Sequence, residues 1–212
     1  MSQEILQSID TYYTISSVIR SEIKIKGSRF IGSAIPAADK ETAMAALEKI
    51  RKEFFDATHN CFAYRFGSDG LEFRTADDGE PNGSAGKPIL FSIQKAQVSD
   101  ILVVVTRYFG GTKLGVGGLA RAYSESAGDV LSKCEIVPVH RTTAVKVFCT
   151  YEDVDIIKKL IEKNAVNFEQ NYHDAVEFIA YIPQSQVESF THSVTSQTNA
   201  RAGTVIVTDE SF

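Results

Sequence analysis

The sequence predicts an α+β protein with two domains. Its 212 residues are 43% hydrophobic and 23% charged, an ordinary globular composition, and this length allows two small domains that each have a core. The run ILVVV at 101–105 is apolar on both faces, as expected for the central strand of a covered sheet. Beyond Pro138, the predicted elements follow the β-α-β-β-α-β order of a ferredoxin-like domain. We therefore predict domains at residues 1–136 and 137–212.

The first domain is predicted to begin with strands and one helix. Short apolar and β-branched runs between residues 11 and 35 are interrupted by Gly27 and Gly32, and the sequence KGS at 26–28 is the expected hairpin turn. Asp39 is a good N-cap for a helix that extends to about residue 55. The residues predicted to form its buried face are Ala43, Leu47, Ile50 and Phe54.

Three further elements complete the first domain. GSDG at 67–70 separates two strand-like runs and predicts a second hairpin. A helix is predicted through Ile89 and Ile93. After the central strand, a glycine-rich loop leads into another helix, and the apolar residues of that helix are Leu119, Tyr123, Ala127 and Val130.

The second domain accounts for the rest of the chain. Thr150–Asp153 resembles a capping box at the start of its first helix, and Pro183 suits the first turn of its second helix. The predicted order is a strand at 142–149, a helix through Val154, Ile157 and Ile161, strands at 165–171 and 174–182 that meet at Tyr172-His173, a helix through Val187, Phe190 and Val194, and a strand after Gly203.

Composition predicts a cytoplasmic protein. No apolar stretch is long enough to span a bilayer, and the N-terminus does not resemble a secretory signal. The three cysteines form no CxxC pair, which is typical of reduced, buried thiols.

The net charge of −5 argues against a protein that coats nucleic acid without sequence specificity. However, residues 1–135 carry 16 basic and 17 acidic side chains, against 6 and 10 in residues 136–212, which permits a locally basic site in the first domain.

The glycine-rich loop is the most unusual stretch of the sequence. Free N–H groups at the start of the following helix can bind an anion, and Arg107, Lys113 and Arg121 supply positive charge around it. Alternatively, the loop is only a tight connection in which Gly117 and Gly118 let the helix lie close to the sheet. Its glycines are Gly110, Gly111, Gly115, Gly117 and Gly118.

A second loop, at residues 77–88, contains two carboxylates near a turn. Asp78 and Glu80 could perform acid–base chemistry or hold a divalent ion. We favour a structural role in which they pair with Arg107 or Arg65, because no third metal ligand with a familiar spacing is present. Ser84 is a candidate N-cap. The residues of this second motif region, whether structural or functional, are His59, Arg65, Asp78, Glu80, Gly83, Ser84, Gly86 and Lys87.

The sequence does not satisfy the more specific motifs for catalysis or cofactor binding. The segment 115–120 fits G-x-G-x-x-A, but FGGTKL separates its first glycine from the strand, so we expect no dinucleotide cofactor. A Walker A loop fails because Val116-Gly117 replaces the required Lys-Ser/Thr. His59 and Cys61 could form a nucleophile pair, although a packed thiol beside a hydrogen-bonded histidine is commoner. We predict no catalytic residue, metal or cofactor.

Three segments resemble the defining motifs of the IMPACT/YigZ family: HNCFAYRFG, DDGEPNGSAGKPIL and TRYFGGTKLGVGGLARAY. The resemblance covers nearly the whole chain. It implies a first domain with the ribosomal protein S5 domain 2-like fold, followed by a ferredoxin-like domain, and it suggests contact with RNA or the ribosome for bacterial members. Eukaryotic relatives dampen an amino-acid-starvation kinase pathway through an additional N-terminal domain, which we do not expect in this chain, so we expect that this role does not carry over. The resemblance assigns no catalytic residue.

Three functional hypotheses follow. The first is a translation-associated regulator that binds RNA or the ribosome through the glycine-rich, locally basic surface. The second is a protein-binding regulatory module without nucleic-acid contact, and the third is a hydrolase or transferase that acts on a phosphorylated or peptide substrate. We favour the first, and we favour binding over catalysis.

Overall fold

The computed structural model describes residues 10–172 and 176–207. These residues form two compact units. The first unit is Tyr12–Val139, and the second consists of the residues from His140 onward together with Asp10 and Thr11. The domain division between residues 136 and 137 falls within a strand that covers Ile136–His140, and that boundary stays a prediction.

The first unit is built on a five-stranded antiparallel sheet. A separate two-stranded sheet joins the first and seventh strands of the chain. The strands are β1 (Thr11–Ile15), β2 (Ile19–Ile25), β3 (Ser28–Pro36), β4 (His59–Phe66), β5 (Glu72–Ala76), β6 (Ile101–Tyr108) and β7 (Ile136–His140). The large sheet has the order β2-β3-β6-β4-β5. The hairpin predicted at 26–28 is confirmed, because Ile25 pairs with Ser28.

Helices cover both faces of this sheet. They are α1 (Lys40–Glu53), α2 (Gly86–Lys95) and α3 (Val116–Ser132). Val103 and Val105 of β6 pack into one core with α2 and α3, whereas Leu102 and Val104 pack into another core with α1. Strand β6 is therefore central and buried on both faces, as the sequence predicted. The predicted cap of α1 is also confirmed, since Asp39 Oδ1 accepts a hydrogen bond from the Thr42 N–H at 2.7 Å.

Helix α3 lies close to the sheet because of a glycine on the strand. A Cβ at Gly32 would lie 2.9 Å from the Ser126 carbonyl oxygen and 3.0 Å from Val130 Cγ1. Gly117 and Gly118 do not serve this purpose. In the described part of the chain, a Cβ at Gly117 would meet no atom within 4 Å, and one at Gly118 would meet only the Leu114 side chain, at 3.2 Å.

The second unit has the predicted ferredoxin-like order. Its elements are β8 (Thr142–Cys149), a 3-10 turn at Tyr151–Asp153, α4 (Val154–Asn164), β9 (Asn167–Tyr172), β10 (Val176–Pro183), α5 (Val187–Gln197) and β11 (Gly203–Ile206). They form an antiparallel sheet of order β11-β8-β10-β9. The α+β class, with an S5 domain 2-like unit followed by a ferredoxin-like unit, is confirmed.

The prediction that Pro183 lies in the first turn of a helix is wrong. Pro183 ends β10 instead of entering a helix, and a 3-10 turn at Gln184–Gln186 precedes α5. His173 of the predicted hairpin turn lies outside the described residues. Across residues 10–172 and 176–207, no helix combines the length and the apolar character that a bilayer crossing requires.

Substituting Gly32 with alanine is expected to lower the free energy of unfolding of the first unit by about 1–3 kcal/mol, because the new Cβ would overpack the contact with α3. Gly128→Ala is the matched control. It lies on α3 with open space around its Cβ position and should stabilise the helix by about 0.5–1 kcal/mol. Urea titrations followed by circular dichroism measure both changes. Equal effects of the two substitutions would contradict the close contact.

A fragment of residues 139–212 is expected to fold by itself. Its unit has its own buried cluster, which includes Val147, Ile157, Phe178 and Phe190. The fragment loses the hydrogen bond from the Ser185 N–H to Asp10, so it should melt at a lower temperature than this unit does in the full chain. Circular dichroism tests the expectation, and a disordered spectrum would show that the two units share one core.

Candidate functional site

The loop at residues 77–86 is organised by the carboxylate of Asp77. Its Oδ1 accepts hydrogen bonds from the N–H groups of Ala85 and Gly86 at 3.0 and 2.9 Å, and its Oδ2 accepts one from Gly83 at 2.8 Å. Ala85 is the N-cap of α2. Asp77 therefore satisfies the N–H groups that the start of this helix leaves without an intrahelical partner.

The prediction that Ser84 caps α2 is wrong. The helix begins one residue later than that assignment requires, and Ala85, as N-cap, has no side-chain oxygen. The Ser84 hydroxyl is buried without a hydrogen-bond partner among the described residues. The acceptor comes instead from Asp77, which precedes the loop and whose carboxylate reaches across it.

The hydrogen bonds to Asp77 also set its protonation. Burial raises the pKa of this carboxyl, but the three backbone donors favour the charged form more strongly, so the net pKa lies below its ordinary value. Asp77 is therefore an anchored carboxylate, which suits a structural role and not that of a proton donor.

Asp78 binds to the start of β4. Its Oδ2 accepts a hydrogen bond from the Asn60 N–H at 2.6 Å, and its carbonyl oxygen lies 2.7 Å from His59 Nδ1. Arg51 of α1 approaches its other carboxylate oxygen at 3.4 Å. The side chain of Asp78 is thus engaged with partners different from those of Glu80, and this arrangement favours the structural interpretation of the two carboxylates.

Glu80 and Arg107 form a buried ion pair. Their side chains are 4% and 6% exposed, and Arg107 Nη1 lies 2.5 Å from Glu80 Oε1. The Tyr123 hydroxyl of α3 donates to the same oxygen at 2.8 Å, and His59 Nε2 lies 3.8 Å away. The pairing of Glu80 with Arg107 was one of the predicted structural ties.

Arg65, the other predicted partner for the carboxylates, binds elsewhere. Its guanidinium donates to the carbonyl oxygens of Gly70 at 3.2 Å and Val98 at 2.9 Å. It therefore supports the turn between β4 and β5, and it leaves Arg107 as the arginine that neutralises Glu80.

Cys61 is a packed thiol. It is fully buried and lies 3.0 Å from the Asp77 carbonyl oxygen and 3.3 Å from the Tyr123 hydroxyl. Burial raises the pKa of Cys61 to about 12, and burial also raises the pKa of Tyr123. Because the thiolate is the nucleophilic form, Cys61 is poorly suited to attack a substrate. Among the described residues, no three His, Cys, Asp or Glu side chains form a metal-binding group.

The glycine-rich loop is tied to the hairpin between β2 and β3. The Gly110 N–H donates to Ser28 Oγ at 3.1 Å, and a Cβ at Gly110 would overlap the backbone of Gly27. Gly115 has a φ of 71° and is the N-cap of α3, where it offers no side-chain acceptor. The start of this helix therefore presents N–H groups that can face an anion.

Two concave surfaces lie along α3. The first, the loop pocket, has a volume of about 320 Å³, and its lining comprises Glu80, Pro81, Arg107, Phe109, Lys113, Leu114, Gly115, Val116 and Leu119. The second, the helix groove, has a volume of about 430 Å³, and its lining comprises Gly83, Lys87, Pro88, Phe91, Ala120, Arg121 and Ser124. The structure thus brings Arg107 and Lys113 together, whereas Arg121 joins Lys87 in the neighbouring groove.

Only part of the predicted positive charge is available at the surface. Arg107 is buried against Glu80, but Lys87, Lys113 and Arg121 are exposed. Two exposed aromatic rings accompany them, Phe91 at 63% and Phe109 at 49%. The sequence interpretation missed both rings. For Phe91 a signal was available, because it lies off the helix face defined by Ile89 and Ile93.

Family comparisons cover both units. A family model described as the Impact N-terminal domain matches residues 26–131. A second model, described as a domain of unknown function (DUF1949), matches residues 147–201. The first match contains the whole of the candidate site.

Similar proteins span nearly the same length. The IMPACT family member YvyE of Bacillus subtilis is 34% identical over 92% of this chain and 90% of its own. The IMPACT family member YigZ of Escherichia coli is 33% identical over 79% of this chain and 83% of its own. A crystal structure described as that of a hypothetical protein is 28% identical, with a TM-score of 0.67, and the match covers 95% of this chain and 99% of the other.

Replacing Asp77 with asparagine should destabilise the first unit by about 1–2 kcal/mol, because one acceptor oxygen is lost where three N–H groups converge. Since the pKa of Asp77 is lowered in the folded protein, the stabilisation by its charge is present above the unfolded pKa of about 3.9 and lost as the pH falls below it. The difference between the wild type and Asp77→Asn should therefore shrink in acid.

Denaturant titrations at neutral and acid pH measure this difference. Glu125→Gln, which removes an exposed carboxylate from α3 in the same unit, is the control and should change stability little at either pH. A difference between the wild type and Asp77→Asn that stays constant across the acid range would show that the Asp77 charge does not stabilise the loop.

Proposed function

Because the chain belongs to the IMPACT family, we propose that it is a cytoplasmic, translation-associated regulator that binds RNA or the ribosome through its first unit. One observation carries the proposal: three exposed cations and two exposed aromatic rings surround the adjoining loop pocket and helix groove. The cations are Lys87, Lys113 and Arg121, and the rings are Phe91 and Phe109. Cations that contact phosphates and rings that stack on bases are the usual means of binding single-stranded nucleic acid.

The net charge of −5 does not oppose such a site. Screening limits the reach of distant surface charges to about 10 Å at 0.1 M salt, so nearby groups decide the local potential. The charge of Glu80 is compensated by Arg107. The N-terminus of α3 adds positive potential beside Lys113.

The arrangement also suits RNA better than a rigid duplex. Phe91 and Phe109 belong to separate concave surfaces, and α3 contributes to both. Val116 of α3 lines the loop pocket with Phe109, and Arg121 of α3 lines the helix groove with Phe91. Unpaired bases in loops and single strands can turn towards such rings, whereas bases stacked within a duplex cannot. Ribosomal RNA and messenger RNA both offer unpaired segments of this kind.

A second candidate function is a protein-binding regulatory module. The sheet of the second unit favours it, because apolar residues lie on the sheet face opposite the helices. Val145 and Val147 of β8 are buried in the core, whereas Phe148 is 38% exposed and Val205 of β11 is 54% exposed. Such apolar residues on an open sheet face can contact a partner protein.

The substitution Lys113→Ala tests the RNA proposal. Lys113 is exposed, so the melting temperature should stay nearly unchanged, while affinity for a labelled single-stranded RNA should fall and the salt slope should decrease by about one unit. Fluorescence anisotropy across a salt series measures both quantities, and co-sedimentation with ribosomes tests the same variant. Unchanged RNA binding combined with a lower melting temperature would make Lys113 structural and would contradict the proposal.

The matched control is Lys49→Ala, an exposed lysine on α1, on the opposite face of the sheet. It should leave both RNA affinity and salt slope close to those of the wild type. A pull-down from lysate with and without nuclease separates the two candidate functions. Partners that nuclease removes support RNA binding, and partners that persist and resist salt support the protein-binding module.

A further inference from the structure

The loop pocket is lined by a buried arginine that keeps one polar atom without a partner. Glu80 Oε1 accepts hydrogen bonds from both Arg107 and Tyr123. Arg107 Nε is buried and has no hydrogen-bond partner among the described residues. Buried polar atoms are nearly always paired. This unused donor therefore points to a missing acceptor.

The walls of the pocket are mostly apolar. Phe109, Leu114, Val116 and Leu119 surround the ion pair, and the volume is about 320 Å³. This lies at the small end of the range for pockets that hold small molecules, roughly 300–1,000 Å³. Such a cavity suits a compact group whose faces are apolar and whose edge is polar.

The net charge differs between the floor of the pocket and its rim. A bare anion at the floor would meet the Glu80 carboxylate, and Arg107 is already neutralised by that carboxylate. The uncompensated charge is on Lys113, which lines the pocket and is exposed. The first N–H groups of α3 add positive potential at the same end. The floor therefore favours a neutral group that accepts a hydrogen bond, and the rim favours an anion.

We infer that the loop pocket receives one unstacked nucleobase of a single-stranded RNA, with the adjoining phosphate beside Lys113. This inference rests on the proposed RNA binding and identifies the group that is bound. Each nucleobase carries an acceptor on its pairing edge, which complements the N–H donor of Arg107 Nε. Its flat face suits the exposed ring of Phe109, because stacking on an aromatic side chain tolerates any base.

Mononucleotides test the pocket without requiring a long RNA. We expect the full chain to bind adenosine or uridine 5′-monophosphate about tenfold more tightly than ribose 5-phosphate, because only the nucleotides supply a base for stacking. Titrations followed by NMR or calorimetry measure the ratio, with inorganic phosphate as a further reference. Equal affinity for the nucleotides and ribose 5-phosphate would overturn the inference.

Two pairs of variants localise the effect. Val116→Trp places a ring at the pocket, where Val116 is 60% exposed, and Val18→Trp is its control at 59% exposure. Val116→Trp should abolish the preference for nucleotides over ribose 5-phosphate, and Val18→Trp should retain it. Phe109→Ala should weaken that preference, while Phe73→Ala, at a residue of similar exposure, should not. Circular dichroism checks that each variant is folded.

The outcomes separate this inference from the proposed function. RNA binding that requires Lys113 but is unchanged in Val116→Trp would refute the base pocket and leave RNA binding intact. Nucleotide binding that Val116→Trp removes, without any binding of RNA or ribosomes, would support the pocket and refute the proposed function. Binding of an acidic peptide that requires Val116, with no binding of nucleotides, would overturn the inference in favour of a protein partner.

Discussion

The ion pair between Glu80 and Arg107 joins the parts of the first unit that form the candidate site. Arg107 comes from the central strand and Glu80 from the loop at residues 77–86, and Tyr123 of α3 donates to the same carboxylate oxygen. Removing one member of a buried ion pair typically costs about 3–5 kcal/mol, because the other charge is left uncompensated. The loop and the helix are thus held against the sheet by a contact that tolerates the loss of neither charge.

This pair also determines which charges reach the surface. Arg107 is neutralised internally, so the positive potential of the site comes from Lys87, Lys113 and Arg121 at its edges. The anchored carboxylate of Asp77 holds the start of α2, and Gly115 leaves the start of α3 without a side-chain cap. Helix α2 therefore begins with N–H groups that bind a carboxylate, whereas α3 begins with N–H groups that can bind a ligand.

The glycines of the site have distinct physical roles. Gly110 permits the glycine-rich loop to touch the backbone of Gly27, which fixes the loop beside the hairpin between β2 and β3. Gly32 allows α3 to lie close to the sheet, whereas Gly117 faces open space in the described structure. A glycine-rich motif thus combines packing positions with a position where the backbone is accessible to a ligand.

The sequence by itself determined the features that depend on neighbours along the chain. The central strand, the hairpin at 26–28, the Asp39 cap and the ferredoxin-like order were all predictable, because periodicity, turn chemistry and capping act over a few residues. Tertiary structure decided the rest. Glu80 and Arg107 are 27 residues apart, Asp77 replaces Ser84 as the acceptor for α2, and Arg121 joins Lys87 instead of Lys113. These choices depend on which side chains the folded sheet brings within hydrogen-bond distance, and no local pattern records that distance.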